Sequence, residues 1–128
     1  AEIDFYADSN AQREVLDNGN IKYTTTSPTS SRPNVAQVKS DGSGVVFERS
    51  VIDLSGSPIF LNDYLSVYGQ PQQVREDHSY YGLNAVVYIY ASEGLAYVVS
   101  KPTGRILELH TFVPMSVNNY IQLHNEHL

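Results

Sequence analysis

The sequence predicts a single α+β domain: an antiparallel β-meander with a helix packed on one face, an N-terminal hairpin before it and a short C-terminal helix after it. Three observations predict this. Residues 57–69 carry apolar side chains at helical spacing between a serine and a glycine, residues 84–113 hold three β-rich runs joined by tight turns, and 128 residues at 41% hydrophobic suffice for one core but not two. Residues 1–34 are expected to be loosely structured, with 35–128 forming the core.

Taken in order, the first helical signal is "ADSNAQREVLDNGN", residues 7–20. Asp8 or Ser9 is placed to cap it, Gly19 to end it, and Ala11, Val15 and Leu16 to form its apolar side. "YTTTSPTSSRPN", residues 23–34, has almost nothing to bury and reads as a loop, extended at the threonine run. "VAQVKSDGSGVVFERSVIDL", residues 35–54, is two β-prone runs around a Ser, Asp and Gly cluster, the pattern of a hairpin. The "GSGVVFE" within it lacks the remaining glycines, a Lys-Ser/Thr ending and a following helix, so it reads as a turn and not a phosphate cradle.

In "SGSPIFLNDYLSVYGQP", Ser57 is placed as N-cap, Pro58 in the first turn and Gly69 at the C-terminus. Phe60, Leu61, Tyr64, Leu65 and Tyr68 form its apolar face, which must lie on something. "NAVVYIYA", "LAYVVS" and "RILELHTFV" follow as strands, joined through "SEG" at 92–94 and "KPTG" at 101–104. A further edge strand is expected near "REDHSYY". In "PMSVNNYIQLHNEHL", Ser116 is the candidate cap of a C-terminal helix with Val117, Tyr120, Ile121 and His124 on one side, and Pro114 breaks it from the sheet.

Composition excludes several functions. A net charge of −6, densest at Glu2, Asp4, Asp8, Glu14 and Asp17, lacks the basic stripe that phosphate backbones require, so no nucleic acid is expected. There is no cysteine for a disulfide, a thiolate metal site or a nucleophile, and no apolar run of membrane-spanning length. A start at Ala1 reads as a processed or trimmed product, open to a leader having been removed. Oligomeric state is left open.

No catalytic residue, metal ligand or cofactor is predicted. His78, His110, His124 and His127 lack zinc-type spacing, and the grouping of His124, Glu126 and His127 reads as a solvated helix end. His110 reads as a half-exposed strand position. Ser43 sits in "DGSG" without a neighbouring histidine, and "DNGN" and "DGSG" lack the acidic series of a calcium loop. Glu76, Asp77, Glu93 and Glu108 are available carboxylates, read as solvated.

The strongest clue is aromatic. Six of ten tyrosines fall between 64 and 90, with Tyr97 close behind. Period-two alternation puts Tyr88 and Tyr90 on one face, while Val87, Ile89 and Ala91 take the other, where the 57–69 helix would pack. Tyr88, Tyr90 and Tyr97 then form an exposed ladder and are the predicted binding residues.

The order of helix, "YGQP" and "YYGLNAVVYIYASEGLAYVVSKPTGRILELHTF" resembles small bacterial envelope lipoproteins of the SmpA/OmlA type, the BamE-like group, and the related β-lactamase-inhibitor-protein-like module. Gly69, Pro71, Tyr88, Gly94 and Gly104 carry the resemblance, over about residues 56–113. The chain lacks the second helix that usually precedes the first and the lipid-bearing cysteine, and its 35–54 hairpin is additional. The resemblance implies an extracytoplasmic, periplasmic or cell-surface, non-enzymatic domain with a lipid anchor on its precursor, which works by binding another protein. Two alternatives stand beside it: carbohydrate or small-ligand binding by the same tyrosines, and a hydrolase whose His78 or His110 meets a carboxylate only in three dimensions.

Overall fold

The computed structural model describes residues 11–25, 32–52, 56–76, 81 and 84–126, of which Asn125 and Glu126 are described by backbone only. Its strands are β1 (Gln12–Val15), β2 (Ile21–Thr25), β3 (Asn34–Val38), β4 (Val45–Val51), β5 (Gln73–Glu76), β6 (Ala85–Tyr90), β7 (Leu95–Ser100) and β8 (Ile106–Phe112). Two helices, α1 (Asn62–Tyr68) and α2 (Val117–Glu126), accompany them. All eight strands join one sheet in the order β1-β2-β3-β4-β8-β7-β6-β5, antiparallel throughout. This corrects the expected α+β architecture. Strands make up 46% of the described residues and α1 buries none of its own residues, so the fold is sheet-dominated and not a meander under a helical layer.

The join between the two halves is the β4–β8 pair, in register from Phe47↔Phe112 to Val51↔Glu108. The 35–54 hairpin is present as β3–β4, closed at its turn by the Lys39 amide on the Gly44 carbonyl at 2.9 Å, but it is fused to the meander and not separate from it. Because β8 occupies the open side of β4, the chain leaving Val51 must reach β5 at the far edge. That distance is four strand spacings of roughly 4.8 Å, about 19 Å in all. The crossover begins beside β8, with the Ile52 amide on the Leu107 carbonyl at 2.9 Å and the Ile106 amide on the Ile59 carbonyl at 2.7 Å. Leu61 donates to the Gly104 carbonyl at 3.0 Å, and only then does α1 begin, so Ser57 and Pro58 lie ahead of the helix and not in its first turn. Gly69, at φ 72°, ends it as expected.

The 7–20 helix is also corrected. Residues 12–15 are β1, and the described part of the segment ends in a turn with Gly19 at φ 87° and the Leu16 amide on the Asn20 carbonyl at 2.8 Å. Val15 and Leu16 are too sparse an apolar side to hold a helix, whereas Asp-Asn-Gly-Asn is strong turn chemistry. Asp8 and Ser9 lie outside the described residues. Tyr23, Thr24 and Thr25, read as loop, belong to β2, where β-branched side chains suit the pleat. The edge strand sought near "REDHSYY" is β5, of which Arg75 and Glu76 are in that stretch.

Each face of the sheet has its own apolar cluster. Phe47, Val87, Ile89, Ala96, Val98 and Phe112 pack with Tyr120 of α2. Tyr90, Tyr97, Val99 and Ile106 pack with Leu61 and, partly buried, Tyr64 and Leu65 of the crossover. The aliphatic face thus lies under α2, not under the 57–69 helix. Ser116 does cap α2, its Oγ accepting the Asn119 amide at 3.1 Å.

Gly94 turns β6 into β7 at φ 70°, and a Cβ there would run into the Phe112 carbonyl oxygen. Gly69 has a similar φ but open space around it. Gly94 is left-handed, where alanine costs about 1–2 kcal/mol; Gly69, at ψ −154°, lies in a region taken almost only by glycine, where alanine costs about 1–3 kcal/mol. The collision, with an oxygen 2.2 Å from the added carbon, comes on top at Gly94 alone. Gly94→Ala is therefore expected to lower the urea midpoint more than Gly69→Ala, and equal midpoints would show that the collision is relieved without cost.

Candidate functional site

The three predicted binding tyrosines do not form an exposed ladder. Tyr88 and Tyr97 are directly opposite across β6 and β7, but Tyr97 lies under α1 with its ring 5.2 Å from that of Tyr64. Tyr90 lies 6.1 Å from Tyr68, and its hydroxyl donates to the Gly69 carbonyl at 2.7 Å. Both are 3% exposed. Burial, first of all, pushes both phenols above their ordinary range, with neighbouring tyrosines and Glu93 adding to it. The physical reason is the crossover. A chain that must pass over β8, β7 and β6 lays α1 across the tyrosine face, so the large rings become its floor.

Tyr88 alone of the three stays half-exposed. It forms part of a groove of about 560 Å³ beside α1, walled by Leu61 and Leu65 on one side and by Val74 and Val86 on the other. Glu76 and Lys101 line it as well and form an ion pair with each other. The groove reaches the last strand of the sheet. All four residues of β5 are exposed, Val74 at 50%, and Phe60, Val67 and Tyr68 add apolar surface from the crossover, Val67 at 71%. An apolar cleft opening onto a strand edge can take both a side chain and the backbone that carries it.

The opposite face holds a buried polar cluster. Glu108 is fully buried; its Oε2 accepts from Arg32 Nε at 2.8 Å and from the Tyr81 hydroxyl at 2.7 Å, and its Oε1 lies 2.9 Å from His110 Nε2. A carboxylate only accepts, so Nε2 carries the proton, Nδ1 is bare, and the Tyr120 hydroxyl donates to Nδ1 at 2.8 Å. Arg49, directly opposite His110 on β4, donates to the Pro33 carbonyl at 3.0 Å. Burial alone would raise the Glu108 carboxyl, but the hydrogen bonds from His110 and Tyr81 and the charge of Arg32 outweigh it and hold the group well below the usual range. Burial lowers His110; the pull of Glu108 is opposed by His124 and Arg49.

Two readings of single residues are corrected here. His110 is not half-exposed and Glu108 is not solvated. Glu108, His110 and Phe112 share a strand face, and Phe112 was the signal available in the sequence that this face points inward. His110 does meet a carboxylate, but both groups are fully buried, with Tyr120 and His124 of α2 against the imidazole. Ser43 sits in its expected turn, its amide on Asp41 Oδ1 at 2.8 Å. His78, Asp77, His127 and the side chain of Glu126 lie outside the described residues. Among the described residues no three acidic or histidine side chains are placed to hold a metal ion, and no helix is long and apolar enough to cross a membrane.

Comparison with family models, curated proteins and solved structures finds no match to this chain.

The sign of the acid response follows from the cluster. Both groups have folded values below their ordinary ones of 6.5 for His110 and 4.5 for Glu108. The unfolded chain therefore binds more protons in acid, and stability falls as pH drops below about 6.5 and more steeply below about 4.5. Denaturation midpoints measured across this range are expected to show that decline. Glu108→Ala, which leaves the buried Arg32 charge without its carboxylate, is expected to cost about 3–5 kcal/mol, and Tyr120→Phe, which leaves Nδ1 without its donor, about 1–3 kcal/mol.

Proposed function

We propose that this chain is a protein-binding domain that takes an extended segment of its partner alongside β5, with an apolar side chain of that segment seated in the groove between α1 and β6. The observation that carries the reading is the coincidence of an uncovered sheet edge with an adjoining apolar groove. Among the described residues β5 is the last strand of the sheet and is exposed along its length, the place for strand addition, and Val74, Val86 and Tyr88 supply a pocket for the side chain. Indiscriminate pairing is restrained because β5 is only four residues long, is preceded by Pro71 and carries Arg75 and Glu76. Affinity then depends on filling the groove, which is how an edge becomes selective. The turn pattern shared with small envelope lipoproteins over residues 56–113 supports placing the domain outside the cytoplasm.

Selection of a displayed random-peptide library on the domain tests this. Expected are peptides with aliphatic residues at alternate positions whose binding is weakened at least about tenfold, roughly 1.4 kcal/mol, by Val74→Glu and left unchanged by Val15→Glu on the other edge strand. No enrichment, or binding indifferent to Val74→Glu, would overturn the proposal.

A further inference from the structure

Among the described residues β1 and β5 end the sheet, and each is exposed along its length. Their sequences, Gln-Arg-Glu-Val and Gln-Val-Arg-Glu, hold the same residue types in different order. Hydrogen bonding fixes which residues of each strand turn their backbone groups outward. The Leu16 amide bonds the Asn20 carbonyl, directly opposite it in the β1–β2 register. By alternation Gln12 and Glu14 then pair with β2, while Arg13 and Val15 point their amides and carbonyls away from it. At the other end the Lys101 amide bonds the Asn84 carbonyl, so Val86 and Tyr88 pair with β7, and Val87 and Ile89 pair with β5. The Gln72 amide on the Ile89 carbonyl, at 2.8 Å, agrees with this. Gln73 and Arg75 therefore face β6, and Val74 and Glu76 point their backbone groups to the outer edge.

In an antiparallel pair outward residues meet outward residues. One register of β1 against β5 does this with complementary side chains throughout: Val15 opposite Val74, Glu14 opposite Arg75, and Arg13 opposite Glu76, which already holds Lys101. A slide of two residues, the smallest step the hydrogen bonds allow, sets Arg13 against Val74 or Val15 against Glu76. Neither edge can do as well with its own copy. Arg and Glu are neighbours on each strand, one outward and one inward, so self-pairing never sets them opposite each other. The faces agree too. Followed strand by strand, cross-strand partners place Arg13 and Val15 on the same side of the sheet as Tyr88 and Val74.

We propose that the partner is a second copy of this chain, whose β1 adds antiparallel to β5 in the register that sets Val15 on Val74 and Glu14 on Arg75. This rests on the reading of β5 and its groove as the site for an extended segment: the segment is β1, and Val15 is the apolar side chain brought to the Val74 wall. Strand direction alternates across all eight strands, so β1 and β5 run oppositely and an added copy keeps the orientation of the first. The contact is head-to-tail and leaves an edge at each end for the next copy. A sheet twist of roughly 20–25° per strand turns each added copy by about half a revolution. Strands of four residues bury little surface, which makes the contact weak, transient and governed by concentration.

Analytical ultracentrifugation of the full chain from micromolar to millimolar concentration tests this. For the wild type a weight-average mass is expected that rises with concentration past the dimer. Glu14→Arg and Arg75→Glu, both at exposed positions and expected to keep the wild-type far-UV spectrum, should each weaken association at least about tenfold. An equimolar mixture of the two should recover it, because each variant meets in the other the opposite charge that its own copy lacks. A wild type that stays monomeric, a mass that stops at the dimer, or a mixture that recovers nothing would each overturn the proposal. A monomer that still binds selected peptides through Val74 would sink this inference alone, whereas loss of both would sink the groove reading with it.

Discussion

The pairing of β4 with β8 is the constraint on which the rest of the molecule depends. Two four-stranded meanders meet there, with the Phe47 and Phe112 rings stacked 6.4 Å apart at one end of the seam and Val51 opposite Glu108 at the other. Once β8 holds that position, residues 52–72 must travel across the sheet, α1 must lie on the tyrosines, and β5 must finish at the outside edge. The same seam brings Arg49 opposite His110 and places the polar cluster at the middle of the sheet. The groove and the cluster are therefore two consequences of one strand pairing.

Local elements were legible and their assembly was not. The β3–β4 hairpin, the 84–113 meander, the stop at Gly69 and the Ser116 cap could all be read because each depends on residues close in sequence. The merging of the hairpin with the meander depends on β4 and β8, some sixty residues apart, and no local pattern signals it. From that single missing contact came the inverted assignment of the tyrosine face: alternation correctly separated Tyr88 and Tyr90 from Val87 and Ile89, but which helix covers which face is a property of topology. The N-terminal strands failed for a different reason. β1 is exposed throughout and is held by backbone pairing to β2, so it has almost no side-chain signature to read.

Burying Glu108 carries a desolvation cost that an aliphatic residue would avoid. What the carboxylate adds is direction. It receives Arg32, which leads into β3, and Tyr81, which precedes β6, while His110 comes from its own strand. These segments are distant in sequence, and a leucine at this place would offer them contact without fixing where each must end. The cluster thus orders connections that the strand ladder itself leaves unspecified.

The groove and the polar cluster lie on opposite faces of the sheet, with β6 and β7 between them. Alternate residues of β6 serve each side: Val86 and Tyr88 reach the groove, while Val87 and Ile89 lie under α2. The side chains of neighbouring residues cannot move independently because they share one backbone, and β6 is hydrogen-bonded to the edge strand β5. Uncovering Val87 and Ile89 would remove the packing that holds β6 from one side, so the position of Tyr88 and the straightness of the β5 edge would be set by α1 alone. Since α1 contributes only half-buried side chains to that face, the helix on the far side of the sheet is the stronger support of the edge, and any coupling between the two faces must pass through β6.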